Sequence, residues 1–328
     1  MPTDQRVAKK LPVLVCGPLH ADALARLREA CDVTIATGPA KETISPERFE
    51  ALVTLLTTNV DEELLARFSA LRLVSTVSVG VDHIDLAACA RHGARVAHTP
   101  DVLTDATADL AMGLIVAASR RMGEAERFLR AKGFPVWSPS FMLGKSLRGK
   151  TLGIVGYGRI GRAVATRARG FGMHVVAAAH GDAAPDDDVP RVPFRDLLGA
   201  SDVVSLHVPL RPSTRHLVGE RELRSMRPGS ILVNTSRGAV VDEDALVSAL
   251  RDGHLFAAGL DVYEHEPRVH EGLLSLENVV LLPHIGSADD DTRRAMAMLA
   301  ADNVVAFATT GTLLTQVKIP SNSDSLPR

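Results

Sequence analysis

Cysteine is scarce in this chain of 328 residues, and the three that occur, Cys16, Cys31 and Cys89, are scattered. They are too few and too far apart for a disulfide framework or a CxxC zinc site, so no metal site is expected and each reads as a small buried hydrophobe. An excess of one charge is missing too. With 37 basic and 39 acidic residues the formal net charge is −2, which gives no reason to expect nucleic acid or an anionic membrane as a partner. Long hydrophobic runs are also lacking: after Lys9 and Lys10 the apolar stretch 11–16 is too short for a signal-peptide core or a membrane span. It reads as a first β-strand, and the protein as cytoplasmic. What remains, 46% apolar and 23% charged residues, is ordinary for a soluble globular protein long enough for two domains with proper cores.

Short apolar stretches alternate with amphipathic ones, the pattern of a parallel sheet covered on both faces. Strands are predicted over 13–16, 33–36, 52–56, 73–77 and 95–97, making one small βα domain. From Thr151 the alternation restarts, with strands over 203–207, 231–234, 257–260 and 279–282. Between the blocks, Thr104 is placed to cap an alanine-rich helix over 105–121, and Pro135, Trp137 and Pro139 mark an irregular loop. A last helix over 291–307 leads to Ile319, and the polar tail 321–328 reads as disordered. Two long helices bordering the second block imply that the chain leaves one domain, builds another and returns. The expected class is α/β, with two Rossmann-like or flavodoxin-like parallel-sheet domains, residues 1–100 and 288–328 enclosing an inserted domain of 101–287.

The apolar strand that begins at Thr151 runs into Gly156-Tyr157-Gly158-Arg159-Ile160-Gly161, followed by a helix-like stretch over 160–171 and a strand over 174–179. In such a GxGxxG turn the first glycine makes the tight bend, the second lets backbone approach a pyrophosphate, and the third lets helix and strand pack closely. The phosphates then meet the free N–H groups and positive end of the helix, so NAD(P)H is the expected cofactor. A carboxylate that binds the ribose 2′-hydroxyl is expected about twenty residues along, and Ala179 stands in its place. That opens the pocket to NADPH. No Arg or Lys follows at once, however; His180 is a conditional cation, and Asp182, Asp186, Asp187 and Asp188 are unwelcome neighbours for a phosphate. The choice between NAD and NADP stays open, leaning to NADPH.

Arg237, Glu266 and His284 each fall where a predicted strand runs out into a polar turn. In an open α/β sheet those strand ends line the ligand crevice. Taken singly, Arg237 reads as a surface cation, His284 as a structural histidine and Glu266 as a loop carboxylate. Together beside a nicotinamide they supply what reduction of a 2-oxo acid needs: a planar fork of donors for the carboxylate, a proton donor near neutral pH and a carboxylate to orient and charge that donor.

Several separated motifs occur in one order: Ser78-Val79-Gly80-Val81-Asp82-His83-Ile84-Asp85, Thr99-Pro100-Asp101-Val102-Leu103-Thr104, the glycine turn, Asn234-Thr235-Ser236-Arg237-Gly238, Leu260-Asp261-Val262-Tyr263-Glu264-His265-Glu266-Pro267 and Pro283-His284-Ile285-Gly286-Ser287. In them the chain resembles, over nearly its whole length, the D-isomer-specific 2-hydroxyacid dehydrogenase family, and within it the glyoxylate/hydroxypyruvate and 2-ketogluconate reductases. The resemblance implies an NAD(P)-dependent enzyme acting on a small 2-oxo or 2-hydroxy acid in a cleft between its domains. Arg237 clamps the carboxylate and polarises the ketone, His284 is general acid in reduction and base in oxidation, and Glu266 supports His284. Val79 and Gly80 cradle the carboxylate with backbone N–H groups, and Asp261 accepts from the nicotinamide carboxamide. Thr107, Gly156, Gly158, Arg159, Ile160, Gly161, His180, His207, Val208, Pro209, Thr214, Thr235, Ser236, His284 and Gly286 line the cofactor channel. A homodimer is implied, with Trp137 reaching towards the partner. Formate dehydrogenases of this architecture carry glutamine where Glu266 stands, so the carboxylate favours hydroxy-acid chemistry. Two other readings share the fold: an NAD(H)-sensing protein like the transcriptional corepressors, and a phosphite dehydrogenase.

Overall fold

The structure, a computed structural model, describes residues 10–36, 45–134, 137–179 and 189–318. Pro135, His180, Asp182, Asp186, Asp187, Asp188, Ile319 and the tail lie outside the described residues. In chain order the first elements are β1 (Leu11–Val15), α1 (Ala21–Ala30), β2 (Cys31–Ile35), β3 (Ala51–Thr54), α2 (Glu62–Arg67), β4 (Leu73–Thr76), α3 (Leu86–Arg91) and β5 (Arg95–Ala97). There follow α4 (Thr104–Ser119), α5 (Met122–Lys132), β6 (Thr151–Val155), α6 (Arg159–Gly170), β7 (His174–Ala178), β8 (Arg191–Val192), α7 (Phe194–Ala200) and β9 (Val203–Leu206). The chain continues through α8 (Glu220–Ser225), β10 (Ser230–Asn234), α9 (Glu243–Arg251), β11 (Leu255–Leu260), α10 (Glu271–Leu274), β12 (Val279–Leu281) and α11 (Asp290–Thr310). It divides into two compact units, Met1–Leu103 with Asp289–Arg328, and Thr104–Ala288.

The first unit is a parallel sheet in the order β2-β1-β3-β4-β5, the flavodoxin-like winding. Its central strands β3 and β4 are buried along their whole length, as expected of a sheet covered on both faces. Short helices begin where an aspartate accepts a first-turn N–H: Asp61 from Leu64, Asp85 from Ala88. The returning α11 belongs here. It starts at Asp289, which accepts from Thr292, and ends at Gly311 in the left-handed conformation. Ser75 of β4 donates to the Ala300 carbonyl, and Arg26 of α1 pairs with Asp302, so residues from the far end of the sequence close the sheet.

The second unit carries a seven-stranded parallel sheet, β12-β11-β10-β9-β6-β7-β8, the dinucleotide-binding order with one strand added at the β11 edge. Alternation sorts its strands into two cores. Leu152, Ile154, Ile231 and Val233 face the alanine-rich α4 and α6, through Ala108, Ala111, Ile115, Val164 and Ala168. Val155, Val204, Leu206 and Leu232 pack instead with Leu197, Leu198, Leu223 and Leu246 of α7, α8 and α9. Two expectations need correction. Thr104 is the first residue of α4 rather than its cap, and β8, two residues long, was not foreseen because so short a strand carries no period.

Candidate active site

The order of the second sheet reverses between β6 and β9, and the ends of both strands build the glycine turn. Gly156 has φ of 96°, and a Cβ there would lie 2.6 Å from the His207 carbonyl carbon, so the position demands glycine. A Cβ on Gly161 would meet the Gly156 oxygen at 2.4 Å, whereas around Gly158 nothing stands within 4 Å. Open space at the second glycine, just before the N-terminus of α6, is what a pyrophosphate needs.

Beside this turn two guanidinium groups lie over the Tyr157 ring, Arg162 4.9 Å and Arg191 4.1 Å from its centre. Arg191 comes from β8, which pairs with the end of β7: Ala177 stands opposite Arg191, and the Ala179 N–H donates to the Val192 carbonyl at 2.8 Å. A cation that the sequence places twelve positions past Ala179 is thus returned to the ribose end of the sheet. No spacing rule could have found it.

At the end of β9, His207 Nε2 lies 2.8 Å from Ser205 Oγ. Part of the residue reaches the surface, yet packing around the ring pushes its pKa down to about 4, so this histidine is neutral at working pH. Val208 and Pro209 follow, and the Thr214 hydroxyl donates to the Pro209 carbonyl (2.7 Å) while accepting from the Arg211 N–H (2.8 Å), which fixes that turn.

At the end of β10 the buried Asn234 organises the next turn, its Oδ1 accepting from the Ser236 N–H (3.0 Å) and hydroxyl (2.8 Å) and its Nδ2 donating to the Arg237 carbonyl (2.8 Å). The Thr235 hydroxyl is buried without a hydrogen-bond partner, a polar group of the kind a bound ligand satisfies. A Cβ on Gly238 would fall 1.8 Å from the Tyr263 carbonyl carbon. The Arg237 turn therefore lies backbone to backbone against the segment after β11.

Asp261 closes β11 and holds three consecutive donors. Its carbonyl takes the His284 N–H (2.9 Å), Oδ1 that of Ile285 (2.7 Å) and Oδ2 that of Gly286 (2.7 Å). Burial raises its pKa, against the opposing pull of those N–H groups and of His284. This grip accounts for His284 at φ 54°, a left-handed backbone that non-glycine residues adopt at a cost of order 1–3 kcal/mol. Gly286 lies against buried Thr107 of α4.

So held, His284 directs Nδ1 to Glu266 Oε2 at 2.7 Å, while Glu266 Oε1 accepts the Tyr263 N–H at 3.0 Å. Burial pushes the Glu266 carboxyl up, but its bonds to His284 and Tyr263 and the charges of His284 and Arg237 outweigh it, and the net shift is downward. Glu266 is therefore an anion. Behind it, buried Glu243 accepts the Glu264 N–H at 2.9 Å, and the Glu264 carboxylate takes Arg215 (2.6 Å) and His216 (2.8 Å). Sequence reasoning missed Glu243, which shows only as the first residue of an ordinary helix.

The second unit thus gathers Arg237, Glu266 and His284 with the glycine turn, Thr235, Ser236, His207, Asp261 and Gly286. Val79 and Gly80 belong to the first unit, just past β4, where both are partly exposed. Trp137 is 73% exposed. Cys16, Cys31 and Cys89 are free, with thiols pushed up to about 11 chiefly by burial, which leaves them inert. Among the described residues there is no cluster suited to a metal ion, and no helix is long and apolar enough to cross a membrane.

Residues 112–286 match the family model described as D-isomer specific 2-hydroxyacid dehydrogenase, NAD binding domain. The chain is 50% identical over 266 residues to the glyoxylate reductase of Thermococcus litoralis, covering 79% of this chain and 80% of that protein. It is 43% identical over 327 residues to the glyoxylate reductase of Aeropyrum pernix, 96% of each. The crystal structure of an NADPH-dependent glyoxylate/hydroxypyruvate reductase from Sinorhizobium meliloti, in complex with NADP and malonate, superposes with a TM-score of 0.86 at 35% identity, covering 94% of this chain and 97% of that one. The nicotinamide cofactor expected from the glycine turn fits the open Gly158, the helix end and the unpartnered Thr235 hydroxyl. Fold, family model and relatives agree that the chain belongs to the D-isomer specific 2-hydroxyacid dehydrogenase family and is an NAD(P)-dependent oxidoreductase acting on 2-hydroxy acids.

Proposed function

We propose that this chain reduces a small 2-oxo acid, glyoxylate or hydroxypyruvate, to the corresponding 2-hydroxy acid, with NADPH as the preferred reductant. The observation that carries the reading is the 2.7 Å contact between His284 Nδ1 and Glu266, whose carboxyl also feels the charge of Arg237. Nδ1 is committed, so Nε2 is the ring nitrogen that meets substrate. The bound nicotinamide supplies hydride to the 2-oxo carbon. His284 Nε2–H protonates the oxygen as negative charge develops on it, and recovers the proton in the reverse direction. Arg237 holds the carboxylate with its planar fork and draws charge towards the ketone oxygen. Val79 and Gly80 offer backbone donors to a carboxylate, and Asp261 keeps a lone pair on each carboxylate oxygen for the cofactor amide.

The relatives named glyoxylate reductase support the substrate class. The missing carboxylate at Ala179, with Arg162 and Arg191 over Tyr157, supports NADPH. Free cysteines suit a reducing compartment such as the cytoplasm. A homodimer is part of the proposal, built on the apolar surface of residues 122–143. Loss of reduced-cofactor absorbance with glyoxylate, hydroxypyruvate and pyruvate, and its gain from the oxidised cofactor with phosphite, each tried with both cofactors, tests the reading. Glyoxylate or hydroxypyruvate is expected to oxidise NADPH faster than NADH, and His284→Asn to slow turnover by about a thousandfold. Cofactor binding without turnover of any oxo acid would mark a sensor instead, and reduction of the oxidised cofactor by phosphite would mark the other chemistry.

A further inference from the structure

The Ser78-Val79-Gly80 turn after β4 has every carbonyl tied down on the protein side. The Ser78 oxygen accepts the Thr99 N–H at 2.8 Å, the Val79 oxygen lies 2.9 Å from His98 Nδ1, and the Gly80 oxygen accepts the Ser78 hydroxyl at 2.7 Å. In a trans peptide the carbonyl and the following N–H point in opposite directions. The N–H groups of Val79, Gly80 and Val81 consequently all face away from these anchors, and among the described residues no acceptor takes any of the three. Three successive donors without an acceptor on partly exposed backbone are available to an anion.

We infer that His98 is a positioning residue of this carboxylate cradle, its Nδ1–H holding the Val79 carbonyl so that the Gly80 N–H is presented to the substrate. The inference rests on the reading of Val79 and Gly80 given under Proposed function. A carbonyl oxygen only accepts, so Nδ1 carries the hydrogen at this contact, and both the neutral and the charged ring can serve. The backbone that carries the ring is itself anchored. The His98 N–H donates to the Thr315 carbonyl (3.2 Å), the Thr315 hydroxyl donates back to the His98 carbonyl (2.5 Å), and Thr315 is itself held by the fully buried Asn303 of α11, through Nδ2 to its hydroxyl (2.8 Å) and its N–H to Oδ1 (3.0 Å). The returning C-terminal segment thereby fixes a donor for a loop more than two hundred positions earlier. Ser78 acts in parallel on Gly80, and with its hydroxyl hydrogen spent there it accepts from Thr76 Oγ1 at 2.9 Å, which in turn is 3.1 Å from His83 Nε2.

The test compares His98→Ala, which deletes the donor, with His98→Asn, whose Nδ2 can replace Nδ1. Readouts are kcat, the KM values for glyoxylate and NADPH, and calorimetric binding of oxalate, a carboxylate that undergoes no turnover. His98→Ala is expected to weaken oxalate and raise the glyoxylate KM by about tenfold, the loss of one well-placed hydrogen bond, with kcat and the NADPH KM changed less than about twofold. His98→Asn is expected to recover most of that loss. An unchanged oxalate affinity in His98→Ala, no rescue by His98→Asn, or equal damage to the cofactor KM would each overturn the inference. Should His98→Ala fail to fold, Ser78→Ala carries the same expectation through the Gly80 carbonyl. A parent chain that binds oxalate but reduces no oxo acid refutes the proposed function and leaves the cradle still testable by calorimetry.

Discussion

Glu266 is the side chain that holds the His284 ring, at 2.7 Å from Nδ1. A carboxylate that accepts from an imidazole N–H fixes the orientation and tautomer of the ring, and the downward shift of Glu266 keeps the anion in place through the neutral range. Glu266→Gln retains an oxygen for Nδ1 but loses the charge. Its reductase activity at pH 7 is expected to fall by about tenfold to a hundredfold. A turnover number equal to the parent's would show that Glu266 only fills space. His207 gives the opposite case, a ring kept neutral. Its folded value of about 4 lies below the ordinary 6.5. Between those pH values the unfolded chain binds a proton that the folded one does not. Stability from this group is fully present above about 6.5 and is lost as pH falls towards 4. At about 1.4 kcal/mol per unit the loss reaches at most about 3.5 kcal/mol, an upper bound because part of the residue meets solvent. Urea midpoints measured at pH 7 and pH 5 are expected to differ less in His207→Asn than in the parent.

The β6–α6 turn separates two uses of glycine that look alike in the sequence. Gly156→Ala places a methyl group 2.6 Å from the His207 backbone at φ 96°, so thermal melting should show marked destabilisation, of several kcal/mol, or no folded protein. Gly158→Ala meets no atom within 4 Å and has φ of −86°. It is expected to keep its Tm while weakening cofactor binding by about tenfold or more, since the methyl group occupies the path of the pyrophosphate; calorimetry with NADP decides. This turn, the strand ends and the polar triad were legible in sequence because each carries a local pattern: an apolar run, a glycine spacing, a charged residue where a strand stops. Apart from β8, observed strands match the expected ones to within two residues at each end. What stayed hidden depends on contacts with no local signature. Arg191 reaches the ribose end only through β8, Glu243 acts through the backbone of Glu264, and His98 acts through the Val79 carbonyl. His284 in a left-handed conformation was equally unreadable, because the bonds that hold it come from Asp261, twenty-three positions earlier.

For the molecule as a whole, the surface of residues 122–143 is where exposure contradicts composition. Met122, Leu129, Phe134, Phe141, Leu143 and the lone Trp137 are all exposed there, Trp137 by 73% and Phe134 by 66%. Scattered exposed apolar residues are normal, but six between Met122 and Leu143 is a density that suits a protein contact site. Standard interfaces bury about 800 Å² per partner and are enriched in aromatic residues and methionine, which this segment supplies. No net charge of one sign opposes association of like chains, since the formal total is −2. The proposed homodimer gives a direct test. The parent is expected to sediment as a dimer, and the double variant Leu129→Asp with Leu143→Asp as a folded monomer with unchanged circular dichroism, because two desolvated carboxylates at an interface cost more than such a contact returns. Neither residue touches the glycine turn or the Arg237, Glu266 and His284 group, so cofactor affinity in the monomer should stay within about threefold of the parent. A variant that remains dimeric would place the interface elsewhere, and a monomeric parent would remove the dimer from the proposal altogether.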